Sequence, residues 1–212
     1  MGAPLSVDGD LSVHGWLHAA AGPDALVLTH GAGSDHRSPL LVAVANAFEA
    51  EGVSVLRCDL PFRQMRAFGP PSPAGAARDR RGLAVALEAV PASGRRFVGG
   101  HSYGGRQASM LLAEAPGLAQ GLLLLSYPLH PPGKPERART AHLSEIRVPT
   151  LFVHGERDPF GSIEEIEAAR ALVAAPTALL IVPRAAHALP AGAMAARAIT
   201  ARFLRLIAIT KR

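Results

Sequence analysis

A chain of 212 residues with 49% hydrophobic content can bury a full core and suits one globular domain spanning 1–212. Its one cysteine, Cys58, excludes an internal disulfide and suits the reducing cytoplasm, and no stretch has the length of a membrane span or the order of a secretory signal. The net charge of +5 comes from 22 basic residues, nearly all Arg and spread along the chain, a compositional bias rather than a nucleic-acid-binding stripe.

Short apolar runs alternate with amphipathic stretches, the pattern of an α/β fold on a mainly parallel sheet. Residues 11–19 read as a first strand, alternating unevenly around Trp16. Residues 25–29 are a continuous apolar run of buried-strand length, broken by His30-Gly31-Ala32-Gly33-Ser34-Asp35. Leu40, Val44 and Phe48 recur at four-residue spacing, so 39–51 is a helix that stops at Gly52. Residues 53–58 form the next strand. Pro61, Pro70, Pro71 and Pro73 then make 59–75 a loop, with Arg57, Arg63 and Arg66 flanking it. Leu83, Leu87 and Val90 share one face of a helix over 76–89.

The stretch from Arg95 to Glu114 carries the most specific signal. A short apolar strand runs into Gly100-His101-Ser102-Tyr103-Gly104, and a helix-forming segment follows. Strand, sharp turn and helix in that order make a nucleophile elbow, which lifts one hydroxyl above the carboxyl end of a sheet. Residues 121–127 are the most hydrophobic strand and belong at the sheet centre; 128–147 are too few for a lid domain. A strand over 150–154 precedes Gly155-Glu156-Arg157-Asp158. Ser162 and Glu165 form a capping box that opens a helix to about residue 173. A last strand over 178–182 leads to the loop holding His187, and a helix over 192–209 buries Ile199, Phe203, Leu206 and Ile207. The sum is a sheet of about seven strands flanked by helices, without a cap domain.

A serine hydroxyl needs a base within reach, and an imidazole base needs a carboxylate to fix its tautomer. The chain offers Ser102, Asp158 and His187 in that order, each just after a strand, where open α/β sheets place their sites. Glu156 is the nearer rival to Asp158 but follows Gly155 directly and suits the turn itself; Asp59 also follows a strand. Of nine histidines, His187 alone lies between the last strand and the last helix. The oxyanion of a tetrahedral intermediate needs two donors, expected from the backbone N–H groups of Tyr103 and Ala32, with Gly33 as fallback. Arg63 and Arg66, with Arg37 and Arg106, are candidates for a basic mouth that binds an anionic substrate. No His/Cys/Asp spacing fits a metal site, and no cofactor is called for.

These residues resemble the α/β-hydrolase superfamily from about Leu26 to the end of the chain. Within it, Asp59-Leu60-Pro61-Phe62-Arg63 and Ser126-Tyr127-Pro128-Leu129-His130 resemble a small uncapped branch related to dienelactone hydrolases. The resemblance implies a parallel sheet between helices and a Ser-Asp-His triad. Dienelactone hydrolases proper carry Cys at the elbow, where this chain has Ser102, so it implies the hydrolase chemistry and not the dienelactone substrate. The expectation is a serine hydrolase that cleaves carboxylic esters or thioesters of small molecules through an acyl-enzyme. The alternatives are a small-peptide or amide hydrolase, and an interaction module that keeps the fold without turnover, as one subunit of a chromatin acetyltransferase complex in that branch suggests. Oligomeric state is not legible from the sequence.

Overall fold

The continuous apolar runs become the centre of an eight-stranded sheet, ordered β1-β2-β4-β3-β5-β6-β7-β8. The computed structural model describes residues 2–9 and 11–209. The strands are β1 Ala3–Val7, β2 Val13–His18, β3 Ala25–Thr29, β4 Ser54–Cys58, β5 Arg96–His101, β6 Leu122–Leu125, β7 Thr150–Gly155 and β8 Thr177–Val182. β1 and β2 run antiparallel at one edge, and every pairing from β4 to β8 is parallel. The helices are α1 Pro39–Ala50, α2 Pro61–Met65, α3 Ala76–Ala89, α4 Tyr103–Glu114, α5 Ile163–Arg170 and α6 Ala193–Ile209.

Strands buried on both faces have no polar side to show, which is why they read as unbroken runs. Alternate residues serve two cores. Val27, Leu56, Val98, Leu124 and Phe152 pack toward α3, α4 and α5. Leu26, Leu28, Val55, Phe97 and Leu125 pack toward α1 and α6, where Phe203 sits edge-on to both Phe48 and Phe97.

Two elements depart from the sequence reading. The sheet has eight strands rather than about seven, because Ala3–Val7 pairs with β2 in the register Ala3↔Leu17 to Val7↔Val13. That strand is mostly exposed, and its alternation of Ala3, Leu5 and Val7 is short and interrupted by Pro4. Within the proline-rich loop, Pro61 opens the short helix α2, its missing N–H falling where a helix needs none. Residues 128–147 contribute only the single turns Pro135–Arg137 and Leu143–Glu145, so no cap domain stands over the sheet edge.

Candidate active site

The chain leaves β3 toward β4 on one side and returns to β5 on the other, so the ends of β3 and β5 form the switch point where α/β sheets open a crevice. Ser102 stands there, between the end of β5 and the first turn of α4. Its φ of 51° lies in the left-handed region, which a non-glycine residue adopts only when its surroundings hold it. They do: the Ser102 N–H donates to the Leu125 carbonyl at 2.8 Å, and its own carbonyl accepts from Arg106 N–H. Two glycines make the turn possible. A Cβ on Gly100 would meet the Thr29 carbonyl oxygen at 2.7 Å, and one on Gly104 the His30 carbonyl oxygen at 2.5 Å.

The structure brings Ser102, His187 and Asp158 together from the ends of three strands, β5, β8 and β7. Ser102 Oγ lies 2.8 Å from His187 Nε2, and His187 Nδ1 lies 2.8 Å from Asp158 Oδ2 and 3.0 Å from Oδ1. The carboxylate side chain is fully buried while the imidazole is 22% exposed, so Asp158 is held inside and the His187 ring faces the opening. Since a carboxylate only accepts, Nδ1 carries the proton and Nε2 is free to accept from the serine. Phe160 N–H also donates to Asp158 Oδ1 at 2.9 Å. The Phe160 ring covers the imidazole at 4.2 Å between centroids. Glu156 instead accepts from Arg184 N–H at 2.7 Å and shapes the turn, while Asp59 binds the backbone and ring of His36.

Across from His187, Gly31 lies directly against the elbow. A Cβ on Gly31 would come within 3.0 Å of His101 Nδ1 and 3.5 Å of Ser102 Cβ. The peptide unit that ends in Ala32 N–H begins with the Gly31 carbonyl, and that oxygen is held by His30 Nδ1–H at 2.8 Å and by Ser34 N–H at 3.2 Å. His30 Nε2 accepts from Leu60 N–H at 3.1 Å, so the ring is neutral, and its burial pushes its pKa down. Tyr103 opens α4, so its N–H has no acceptor within the helix. Among the described residues neither the Ala32 nor the Tyr103 N–H has a backbone acceptor; one follows Ser102 in the chain and the other follows Gly31, which faces Ser102 Cβ.

Two of the four arginines, Arg63 and Arg37, are engaged within the protein rather than free at a basic mouth. Arg63 is 8% exposed and gives Nε–H to Ser34 O, Nη2 to Ala32 O and Gly69 O, and Nη1 to Ala67 O and Arg66 O. A guanidinium has five N–H donors, and each here meets a backbone carbonyl, so none is left for a substrate carboxylate. Arg66 is exposed and reaches the Pro70 carbonyl. Arg37 is paired with Asp35. The expected anion-binding role of Arg63 is therefore corrected: it ties the 31–34 loop to the 66–70 loop.

Three contributors escaped the sequence reading. His101 Nε2–H donates to the His187 carbonyl at 3.1 Å, joining the elbow to the base loop. Phe160 follows Asp158 by two residues, and that proximity was its only signal. Asp79, buried in α3, accepts from Tyr103 Oη–H at 2.7 Å and from Phe62 N–H at 2.9 Å, fixing the first residue of α4 from below. Burial pushes the Asp79 carboxyl up, and burial together with the bond to Asp79 pushes the Tyr103 phenol up. Among the described residues no group of three or more His, Cys, Asp or Glu side chains could hold a metal ion.

Comparison with known proteins agrees with this architecture. A family model described as an alpha/beta hydrolase domain matches residues 23–200. A dienelactone hydrolase from Anabaena variabilis is 24% identical and superposes with a TM-score of 0.75, covering 97% of each chain. Est1E from Butyrivibrio proteoclasticus, solved with ferulic acid, is 17% identical with a TM-score of 0.77 over 96% of this chain and 99% of its own. A lidless serine hydrolase from Xanthomonas campestris is 17% identical with a TM-score of 0.66, over 96% of this chain and 94% of its own. The likeness to these structures is one of fold.

Proposed function

The chain belongs to the alpha/beta hydrolase domain family, and from that premise we propose that it is a serine hydrolase of carboxylic esters or thioesters. The observation that carries this reading is the relay Ser102 Oγ to His187 Nε2 to Asp158, with both links at 2.8 Å, set at a strained elbow. Ser102 Oγ attacks the acyl carbon while its proton passes to His187 Nε2. The carbonyl oxygen becomes an oxyanion, received by the N–H groups of Ala32 and Tyr103. As the tetrahedral intermediate collapses, the bond to the alcohol or thiol breaks, and His187 returns the proton to that leaving atom. An acyl-Ser102 ester remains. Water, deprotonated by His187, attacks it, and the acid leaves as the serine regains its proton. Asp158 stays ionised, holding the tautomer and stabilising the imidazolium at each half-reaction. The substrate is a small molecule that reaches the site from an open edge. The lone thiol, buried Cys58, has its pKa pushed up to about 12 by burial and serves no step; a chain without a disulfide suits the cytoplasm.

The test is hydrolysis of p-nitrophenyl acetate by Ser102→Ala. Its kcat should fall by about 10⁴ to 10⁶. Turnover within tenfold of the unaltered protein would exclude Ser102 as nucleophile.

A further inference from the structure

The loop that carries His187 has few bonds of its own. It lies between β8 and α6, and among the described residues 186–191 make no backbone–backbone hydrogen bond. Side chains fix it instead. Leu189 is buried in the core shared with α1 and α6, and Asp158 holds the His187 ring through Nδ1. The backbone of His187 itself is held by His101, whose Nε2–H reaches its carbonyl at 3.1 Å.

His101 ends β5, one residue before Ser102, and its half-buried ring meets every part of the site. It is rooted beside the nucleophile and donates to the backbone of the base. Its Nδ1 faces Gly31, where a Cβ would come within 3.0 Å. Its ring centroid lies 5.3 Å from that of His187. A carbonyl only accepts, so Nε2 carries the proton. Burial pushes the His101 pKa down, with the nearby His187 adding to the effect, and the ring stays neutral. An imidazolium forms on His187 in each half-reaction, and a second cation at that distance would oppose it.

The base works only while His187 Nε2 stays within reach of Ser102 Oγ, at 2.8 Å. Asp158 bonds the ring, whereas His101 bonds the backbone that carries the ring. Because His101 and Ser102 are consecutive residues of the elbow, that bond links the position of the nucleophile to the position of the base. We propose that His101 is a positioning residue for the reaction, spacing His187 from Ser102 through the bond between its Nε2–H and the His187 carbonyl. The inference rests on the serine-hydrolase reading above.

The experiment compares the unaltered protein with His101→Phe and His101→Leu, which lack the donor, and with His101→Gln, which keeps an N–H at similar reach. Each is followed by rapid-mixing burst kinetics on p-nitrophenyl acetate, by thermal melting and by fluorophosphonate labelling of Ser102. His101→Phe and His101→Leu should lower both the burst rate and kcat about 10²-fold, the cost of a catalytic group displaced by about 1 Å. KM and burst amplitude should hold, because His187 serves acylation and deacylation alike. His101→Gln should recover about tenfold of that loss. Either donor-free variant that melts cooperatively suffices for the comparison. Equal rates in the Gln, Phe and Leu variants, whether kept or lost, would overturn the assignment. So would a loss confined to KM, or to burst amplitude and melting temperature. Failure of the unaltered protein to label at Ser102 strikes the hydrolase reading itself, and the inference falls with it.

Discussion

The two sides of the Ser102 crevice are built on opposite plans. On the oxyanion side, a neutral His30 holds the peptide of Ala32 and a fully engaged Arg63 holds the next one, both from within the protein. On the base side, His187 hangs from one buried carboxylate, is covered by Phe160, and keeps its far nitrogen toward the serine. The difference follows from the work proposed for each. Donors that stabilise a transient charge act best when they do not reorganise, whereas a base must accept and release a proton within each half-reaction. One side is clamped through its backbone, and the other is aimed by a single charge.

That contrast can be broken from either end. The largest effect is expected on the base side, where His187→Ala should lower kcat on p-nitrophenyl acetate by about 10⁶, and Asp158→Asn by about 10⁴ through the wrong tautomer. Equal, small losses would mean that the aimed side is not the chemical side. Next comes the clamp. Arg63→Lys should lower kcat about 10²-fold with KM nearly unchanged, because a lysine cannot hold Ala32, Ser34 and Ala67 at once, and free guanidinium should partly restore Arg63→Ala. A KM effect confined to acidic esters would return Arg63 to substrate binding.

A smaller effect concerns pH. Burial depresses the folded pKa of His30 below 6.5, so as pH falls through 6.5 the unfolded chain takes up this proton first and stability is lost. His142 behaves in the same sense, its pKa lowered to about 4 by burial and by the charge of Arg106. Melting temperature should therefore fall from pH 7 toward pH 4, and His30→Gln should flatten the slope; an unchanged slope would mean that the ring is charged in the fold. The smallest effect is on the floor of the elbow. Tyr103→Phe removes one bond to buried Asp79 and should cost about 1 kcal/mol in urea unfolding.

The sheet centre was readable because burial on both faces leaves an unbroken apolar signature, as in Leu122–Leu125. The edge strand Ala3–Val7 was not, since its alternation of Ala3, Leu5 and Val7 spans only five mostly exposed residues and is interrupted by Pro4. The elbow could be located from its glycine-framed Ser102, and Asp158 and His187 from residue type at the ends of strands, because strand ends are where such a fold presents side chains. What topology does not encode is what a charge touches. Arg63 reads as a surface cation in a proline-rich loop; only the folded loop turns five carbonyls toward it. His101 is similar: it sits within the elbow motif, yet its partner lies 86 residues away at the His187 carbonyl.

The central claim is that Ser102 becomes acylated. Rapid mixing with p-nitrophenyl acetate, acid quench and peptide mass analysis test it directly. The account predicts a burst of about one p-nitrophenol per chain and an added acetyl group on the peptide that contains Ser102. Hydrolysis without a burst, or an acetyl group carried by any other residue, would contradict it.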